Sequence, residues 1–207
     1  MIRPPERLPE RDAAIEAMLP HVSFDGWTTR ALRAGLRDAA MPEDEAALLF
    51  PGGSVDMVTV FCDLADRRMT GAAAALTETK LTARVRAVIA LRLEQNRGHK
   101  EAIRRALAVL ALPGHARAAA GITARTVDAI WFAAGDRSAD FSWYTKRAIL
   151  TVVYTATLLF WLRDSSENEA DTLAFLDRRL RGVGQMGGRI GRARGRLDAM
   201  LGRLRPA

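Results

Sequence analysis

Cysteine is nearly absent from this sequence, since Cys62 is the single example among 207 residues. One thiol cannot form a disulfide within the chain, so packing rather than cross-linking must hold the fold together. Cys62 stands in an apolar run, and we expect it to be a buried, unreactive thiol. Histidine is also scarce, and none of the three histidines has a carboxylate or a cysteine at metal-ligand spacing. We therefore expect neither a metal ion nor a cofactor.

Several other signals are missing. No run of 18 or more apolar residues occurs, which argues against a transmembrane helix. The first residues have no apolar core of a signal peptide, so we expect a cytoplasmic protein. No Walker loop and no Gly-x-Ser-x-Gly elbow occurs, and the glycine pattern at 182–187 follows a predicted helix instead of a strand. These absences predict a protein that is not an enzyme.

Basic charge is present but unevenly distributed. The net charge is +7, and residues 181–207 contain seven of the 31 basic residues but only one of the 24 acidic residues. The remaining part of the chain is therefore almost neutral, and the basic character belongs to the C-terminal tail.

Apolar residues recur at helical spacing along most of the chain, and no stretch of strict alternation indicates a strand. The fold class predicted is all-α. A first helix is expected over Pro9–Leu19, followed by a connector over 20–26 and a second helix capped by Thr28 or Thr29. Ser54 is expected to cap a later helix, and the helix around Ile130 is expected to end near Gly135. We divide the chain into a helix-turn-helix-like region (9–66), a helical ligand-binding region (67–181) and a basic amphipathic tail (182–207). The segment 148–162 is apolar on almost every side, so it must be buried on several sides. This burial could come from the wall of a ligand cavity, from a dimer partner or from a packed core.

The front end, from Gly26 to Phe61, has the layout of a helix-turn-helix and resembles the N-terminal region of TetR-type repressors. In such repressors a short second helix enters the major groove of DNA. Here the short helix predicted over 43–49 contains three acidic residues and no basic residue. Because DNA is a polyanion and phosphate contacts need cations or donors, we expect no nucleic-acid partner.

The densest cluster of aromatic and charged side chains lies between positions 127 and 148. Tryptophan, tyrosine and arginine together are typical of protein-interface hot spots, although a core of aromatic residues beside an ion-paired turn is an alternative. This block strongly resembles the family of coenzyme Q (ubiquinone) biosynthesis protein nine. The shared positions are Asp128, Trp131, Ala134, Gly135, Asp136, Ser138, Asp140 and Trp143 to Arg147. Shorter shared motifs stand at 26–28, 50–53 and 175–179.

The resemblance implies a TetR-like, non-catalytic protein that binds lipid in an internal apolar pocket. It also implies that the chain presents membrane quinone intermediates to the di-iron demethoxyubiquinone hydroxylase. The partner-binding residues it implies are Asp136, Arg137, Trp143, Tyr144 and Arg147. The apolar helical faces predict a lipid-binding lining that comprises Val85, Val88, Ile89, Leu107, Ile130, Val153 and Leu158. The ligand expected is an isoprenoid quinone or a phospholipid, and a homodimer is expected.

The tail combines arginines with a narrow apolar seam. Apolar residues recur at alternating spacings of three and four, a pattern typical of helices that lie on a membrane surface. The membrane-binding residues predicted are Met186, Ile190, Leu197, Met200 and Leu204. A coiled coil with another chain is the alternative for the tail. We therefore expect a location peripheral to the inner membrane, and the alternative function for the whole chain is a ligand-responsive TetR-type repressor.

Overall fold

The computed structural model describes residues 4–136 and 142–182. Within these ranges the secondary structure is helical and contains no strand, which confirms the all-α class. Arg137 and the five membrane-binding residues predicted in the tail lie outside the described residues. The α-helices are α1 (Pro9–Asp25), α2 (Thr29–Asp38), α3 (Ala46–Leu49), α4 (Gly53–Ala72), α5 (Leu81–Gln95), α6 (Lys100–Leu110), α7 (Ala116–Ala133), α8 (Ser142–Trp161) and α9 (170–182).

Helix α1 is longer than the sequence predicted. We expected it to end just before Pro20, with a connector over 20–26, but it continues through Pro20 to Asp25. Proline removes one backbone donor, yet Met18 and Val22 on either side are fully buried and keep this face in the core. The helix ends where Gly26 adopts a φ of +70°, a conformation that favours glycine.

The helix-turn-helix-like order is present. Of the two predicted caps, Thr28 is the one that caps α2, since its hydroxyl oxygen accepts a hydrogen bond from the Ala31 backbone N–H at 3.2 Å. The short helix predicted over 43–49 consists of a 3-10 turn (Glu43–Glu45) followed by α3. The prediction that Ser54 caps α4 is wrong, because α4 already begins at Gly53, which has a φ of +62°.

Helix α4 is the centre of the N-terminal unit, which extends to Tyr154. It packs against α1, α5, α6 and α7. At the N-terminal end of this core the Trp27 indole N–H donates to the Ala102 carbonyl of α6 at 2.9 Å, and its ring lies 5.2 Å from that of Phe61. The predicted division between residues 66 and 67 falls inside α4.

The second unit begins at Thr155 and contains the last turns of α8 and all of α9. The Asp164 carboxylate accepts hydrogen bonds from the backbone N–H groups of Ser166 and Thr172, both at 2.8 Å. It therefore caps the turn that leads into α9, together with Ser166, whose hydroxyl oxygen accepts from Asp171 N–H. The rings of Phe160 and Phe175 stack at 4.6 Å.

None of the described helices is by itself both long and apolar enough to cross a bilayer. Two bent helix pairs, 43–49 with 53–75 and 97–110 with 113–133, reach the required length and composition together.

Candidate functional site

The end of α7 and the start of α8 form a surface that we call the α7–α8 junction, which comprises residues 128–136 and 143–147. Helix α7 ends at Ala133, and Gly135, with a φ of +80°, turns the chain away from the helix. The Gly135 N–H donates to the Phe132 carbonyl at 2.9 Å, and the Asp136 N–H donates to the Trp131 carbonyl at 3.1 Å. These bonds use carbonyls that the helix end would otherwise leave unpaired.

Arg147 organises the α8 side of the junction. Its guanidinium lies 3.7 Å from the centre of the Trp143 ring and forms an ion pair with Asp128 of α7. Such a cation–π contact fixes the tryptophan in place. The Trp143 ring in turn meets the Tyr144 ring edge-on, with 4.7 Å between the ring centres.

Lys146 provides the second link between the two helices. Its ammonium lies 3.1 Å from the Asp136 carboxylate and 5.8 Å from the centre of the Trp131 ring. The Trp131 indole nitrogen is buried and has no acceptor among the described residues. The aromatic block that the sequence singled out is therefore held by charged side chains of both helices.

Two aromatic rings of the junction face solvent. Phe132 is 75% exposed and Tyr144 is 73% exposed. Large apolar side chains seldom lie so open without a partner when they sit together with arginine and tryptophan. The junction thus has the chemistry of a protein-recognition surface. It contains four of the five predicted partner-binding residues, namely Asp136, Trp143, Tyr144 and Arg147. Phe132, which stands one helical turn after Asp128, was not among the predicted residues.

The predicted lipid-binding residues are mostly interior. Five of them are at most 5% exposed: Val85, Val88, Ile89, Ile130 and Val153. Leu107 and Leu158 are half-buried. On α5 three of these residues repeat at helical spacing, and on α7 Ile130 shares its buried face with Ile122 and Val127, so each helix turns one apolar face inward. This burial agrees with a lining role and equally with a packed core.

A buried polar cluster interrupts this apolar interior, and the sequence did not predict it. We call it the Arg92 cluster, and its members are Asp66 of α4, Arg92 of α5, Thr126 of α7 and Tyr154 of α8. The Arg92 Nη1 and Asp66 Oδ1 atoms are 2.6 Å apart, and the Thr126 hydroxyl donates to Asp66 Oδ2 at 3.0 Å. The Arg92 Nε–H donates to the Tyr154 hydroxyl oxygen at 2.9 Å.

Burial governs the protonation of the cluster. It raises the pKa of Asp66, while Arg92 and the bond from Thr126 act in the opposite direction. We treat Asp66 and Arg92 as an ion pair, because a guanidinium stays protonated inside proteins. Burial also raises the pKa of Tyr154, so its hydroxyl keeps its proton. A signal for Arg92 was available, since it follows Val85, Val88 and Ile89 on the buried face of α5.

The Cys62 thiol is poorly suited to catalysis. Burial raises the pKa of the Cys62 thiol to about 12, so it stays protonated and is a poor nucleophile. Within residues 4–136 and 142–182, no three His, Cys, Asp or Glu side chains come together as metal ligands.

The short second helix of the helix-turn-helix-like region, which contacts DNA in TetR-type repressors, begins with an acidic turn here, Glu43–Glu45. Arg37 donates to the Glu43 carboxylate at 2.7 and 2.8 Å and lowers the pKa of Glu43, which therefore stays ionised. Arg30 of α2 is likewise paired with Asp25, at 3.4 Å. Two of the three arginines on the outer face of α2 are thus compensated by carboxylates, which weakens any attraction for phosphate.

Comparison with known proteins assigns the family. A family model described as COQ9 matches residues 116–187, which include the α7–α8 junction. The ubiquinone biosynthesis protein COQ9-A, mitochondrial, of Xenopus laevis is 32% identical over 84% of this chain. The chain belongs to the COQ9 family. The COQ9 proteins of Drosophila melanogaster and Schizosaccharomyces pombe are 33% and 32% identical over 82% and 80% of the chain. The chain spans 57%, 54% and 66% of the lengths of these three relatives.

A solved structure supports the fold. A TetR transcriptional regulator from Nitrosomonas europaea superposes with a TM-score of 0.68 and covers 86% of this chain and 99% of its own, at 23% sequence identity. The TetR-like fold expected from the resemblance is therefore confirmed.

Proposed function

We propose that this chain is a non-catalytic, lipid-binding accessory protein of ubiquinone biosynthesis that presents membrane quinone intermediates to the di-iron demethoxyubiquinone hydroxylase. The observation that carries the proposal is the α7–α8 junction, where exposed Phe132 and Tyr144 lie in the segment matched by the COQ9 family model. An accessory protein needs a surface for its enzyme, and this surface has the composition of one. The buried apolar faces of α5 and α7 support the binding of an isoprenoid quinone or a phospholipid.

The remaining partners belong to the same proposal. Val152 of α8 is 69% exposed, which supports an apolar contact with a second copy of the chain. The basic tail is proposed to hold the protein at an anionic membrane surface, peripheral to the inner membrane on its cytoplasmic side. The relatives are named as mitochondrial proteins.

We expect Tyr144→Ala to impair quinone hydroxylation in cells while the fold stays intact. Because Tyr144 is 73% exposed, its truncation should change the free energy of unfolding by no more than about 0.5 kcal/mol. In cells that lack their own copy of this gene, the variant should restore less ubiquinone and accumulate the demethoxy precursor, measured by mass spectrometry.

Phe24→Ala is the matched control, since Phe24 is 86% exposed but lies at the end of α1, outside the α7–α8 junction. It should restore wild-type ubiquinone levels. Equal ubiquinone production by Tyr144→Ala and Phe24→Ala would argue against a recognition role for the junction.

The second candidate function, a ligand-responsive repressor, is supported by the TetR-like fold alone. The acidic 3-10 turn at Glu43–Glu45 disfavours it, because three carboxylates would approach the DNA phosphates. We expect no sequence-selective binding of duplex DNA in a gel-shift titration, with a TetR-type repressor on its own operator as the positive control. Nanomolar binding that is selective and resists about 200 mM salt would favour the repressor instead.

A further inference from the structure

The outer face of α2 borders an open groove that we call the α2 groove. Its lining consists of Asp25, Arg30, Arg33, Ala34, Arg37 and Glu43. The opposite face of the helix is apolar and buried in the core, so the three arginines all lie on the solvent side. The groove has a volume of about 490 Å³. Since one water molecule occupies about 30 Å³, a hydrated anion fits in this space.

Carboxylates hold two of the three arginines in place. Glu43 accepts two hydrogen bonds from the Arg37 guanidinium, at 2.7 and 2.8 Å, and Asp25 lies 3.4 Å from Arg30. Arg33 stands between these pairs and has no hydrogen bond or ion pair among the residues that the structure describes. The groove thus sets three guanidinium groups against two carboxylates, which leaves one cation without a counter-charge.

The carboxylate next along the helix does not provide that counter-charge. Asp38 faces the His21 ring, with 2.7 Å between the Asp38 Oδ2 and His21 Nε2 atoms, and is not part of the groove lining. The free guanidinium of Arg33 offers its N–H donors in a planar fork, which fits two oxygen atoms of one phosphate group. An oxyanion of this kind is therefore the partner that the groove lacks.

The place of α2 in the fold favours phosphate as that oxyanion. In a helix-turn-helix the first helix crosses the phosphate backbone of DNA, and the second helix reads the bases. Here α2 is the first helix and keeps its arginines, whereas the second begins with the acidic turn Glu43–Glu45. A polyanion at Arg33 would meet all three carboxylates of that turn. A single phosphate group meets only Glu43, whose charge Arg37 compensates.

We propose that the α2 groove binds a single phosphate group, which Arg33 contacts directly and which Arg30 and Arg37 attract from either side. The phosphate belongs to a phospholipid head group or to a small soluble phosphate ester, two sources with the same chemistry. The groove shares no residue with the α7–α8 junction or with the predicted lipid lining, so the inference does not depend on the proposed function.

Equilibrium dialysis of the purified full chain against labelled inorganic phosphate tests the site. The buffer contains about 150 mM sodium chloride, which screens exposed charges beyond about 8 Å. Arg33→Gln should weaken phosphate binding by about tenfold, as expected for the loss of hydrogen bonds between charged groups. Because Arg33 is exposed, this variant should stay folded.

Arg117→Gln is the matched control. Arg117 is also exposed and without an ion pair among the described residues, but it lies in the first turn of α7, outside the groove. It should bind phosphate as the wild type does. The proposal is overturned if the wild type binds no phosphate, or if Arg33→Gln binds it as well as Arg117→Gln does.

Two further probes identify the source of the phosphate. Glycerol 3-phosphate represents a soluble ester, and vesicles of phosphatidylglycerol and phosphatidylcholine represent the head groups. A head group is the ligand if Arg33→Gln co-sediments with the vesicles less than Arg117→Gln does. A soluble ester is the ligand if both variants co-sediment equally and glycerol 3-phosphate displaces the labelled phosphate. Equal co-sedimentation without displacement means an adventitious ion only, and it contradicts the proposal.

Discussion

Gly35→Ala is expected to destabilise the protein strongly, because α1 and α2 touch at this glycine. A Cβ atom at position 35 would lie 2.6 Å from backbone atoms of Ala17 and Met18, a distance that side chains do not adopt. Backbone cannot rotate aside as a side chain does, so the two helices must separate. Such overpacking costs about 1–3 kcal/mol, occasionally more. At about 2–4 °C per kcal/mol for a protein of this size, thermal unfolding of the purified variant measures the loss.

Gly71→Ala provides the control with the opposite sign. Gly71 lies in the last turn of α4, and a Cβ atom there would meet nothing within 4 Å. Alanine is the better helix former by about 1 kcal/mol, so this variant should melt at the same temperature or slightly higher. A similar loss of stability in both variants would show that the cost comes from something other than the contact between α1 and α2.

The two glycines show where sequence reasoning reaches its limit. Helix propensity assigns the same penalty to Gly35 and Gly71, since it depends on the residue and its own helix. The difference between them comes from the neighbouring helix, which the local pattern does not contain. The same applies to Pro20, where the sequence predicted the start of a connector. The helix continues through it because Met18 and Val22 on either side are buried in the core.

Features with a local or repeated signal were predictable. The apolar period predicted the helices, and the capping and turn residues predicted a cap at Thr28 or Thr29 and a helix end near Gly135. The dense aromatic block predicted the α7–α8 junction, because its members stand close together in the sequence. The three acids at Glu43–Glu45 predicted a surface unsuited to DNA.

The Arg92 cluster was not predictable in the same way. Its four members come from four helices, and no spacing along the chain connects them. Arg92 stands at a buried position of its helix, but pairing with Asp66 depends on how α4 and α5 meet. A charged residue on an otherwise apolar face is therefore a useful warning that a buried partner exists, although it does not identify the partner.

Arg92→Met is expected to destabilise the protein more than any other change proposed. It removes the cation and leaves the Asp66 carboxylate, which is 10% exposed, without its counter-charge. Breaking a buried ion pair from one side costs about 3–5 kcal/mol, because the remaining charge stays desolvated. The double variant Asp66→Asn with Arg92→Met should regain most of this loss, since no unpaired charge remains. Chemical denaturation of the wild type, both single variants and the double variant gives the coupling energy directly.

The size of the loss in Arg92→Met also tests the burial of the pair. A loss below about 1 kcal/mol would contradict that burial, since exposed pairs contribute no more than that.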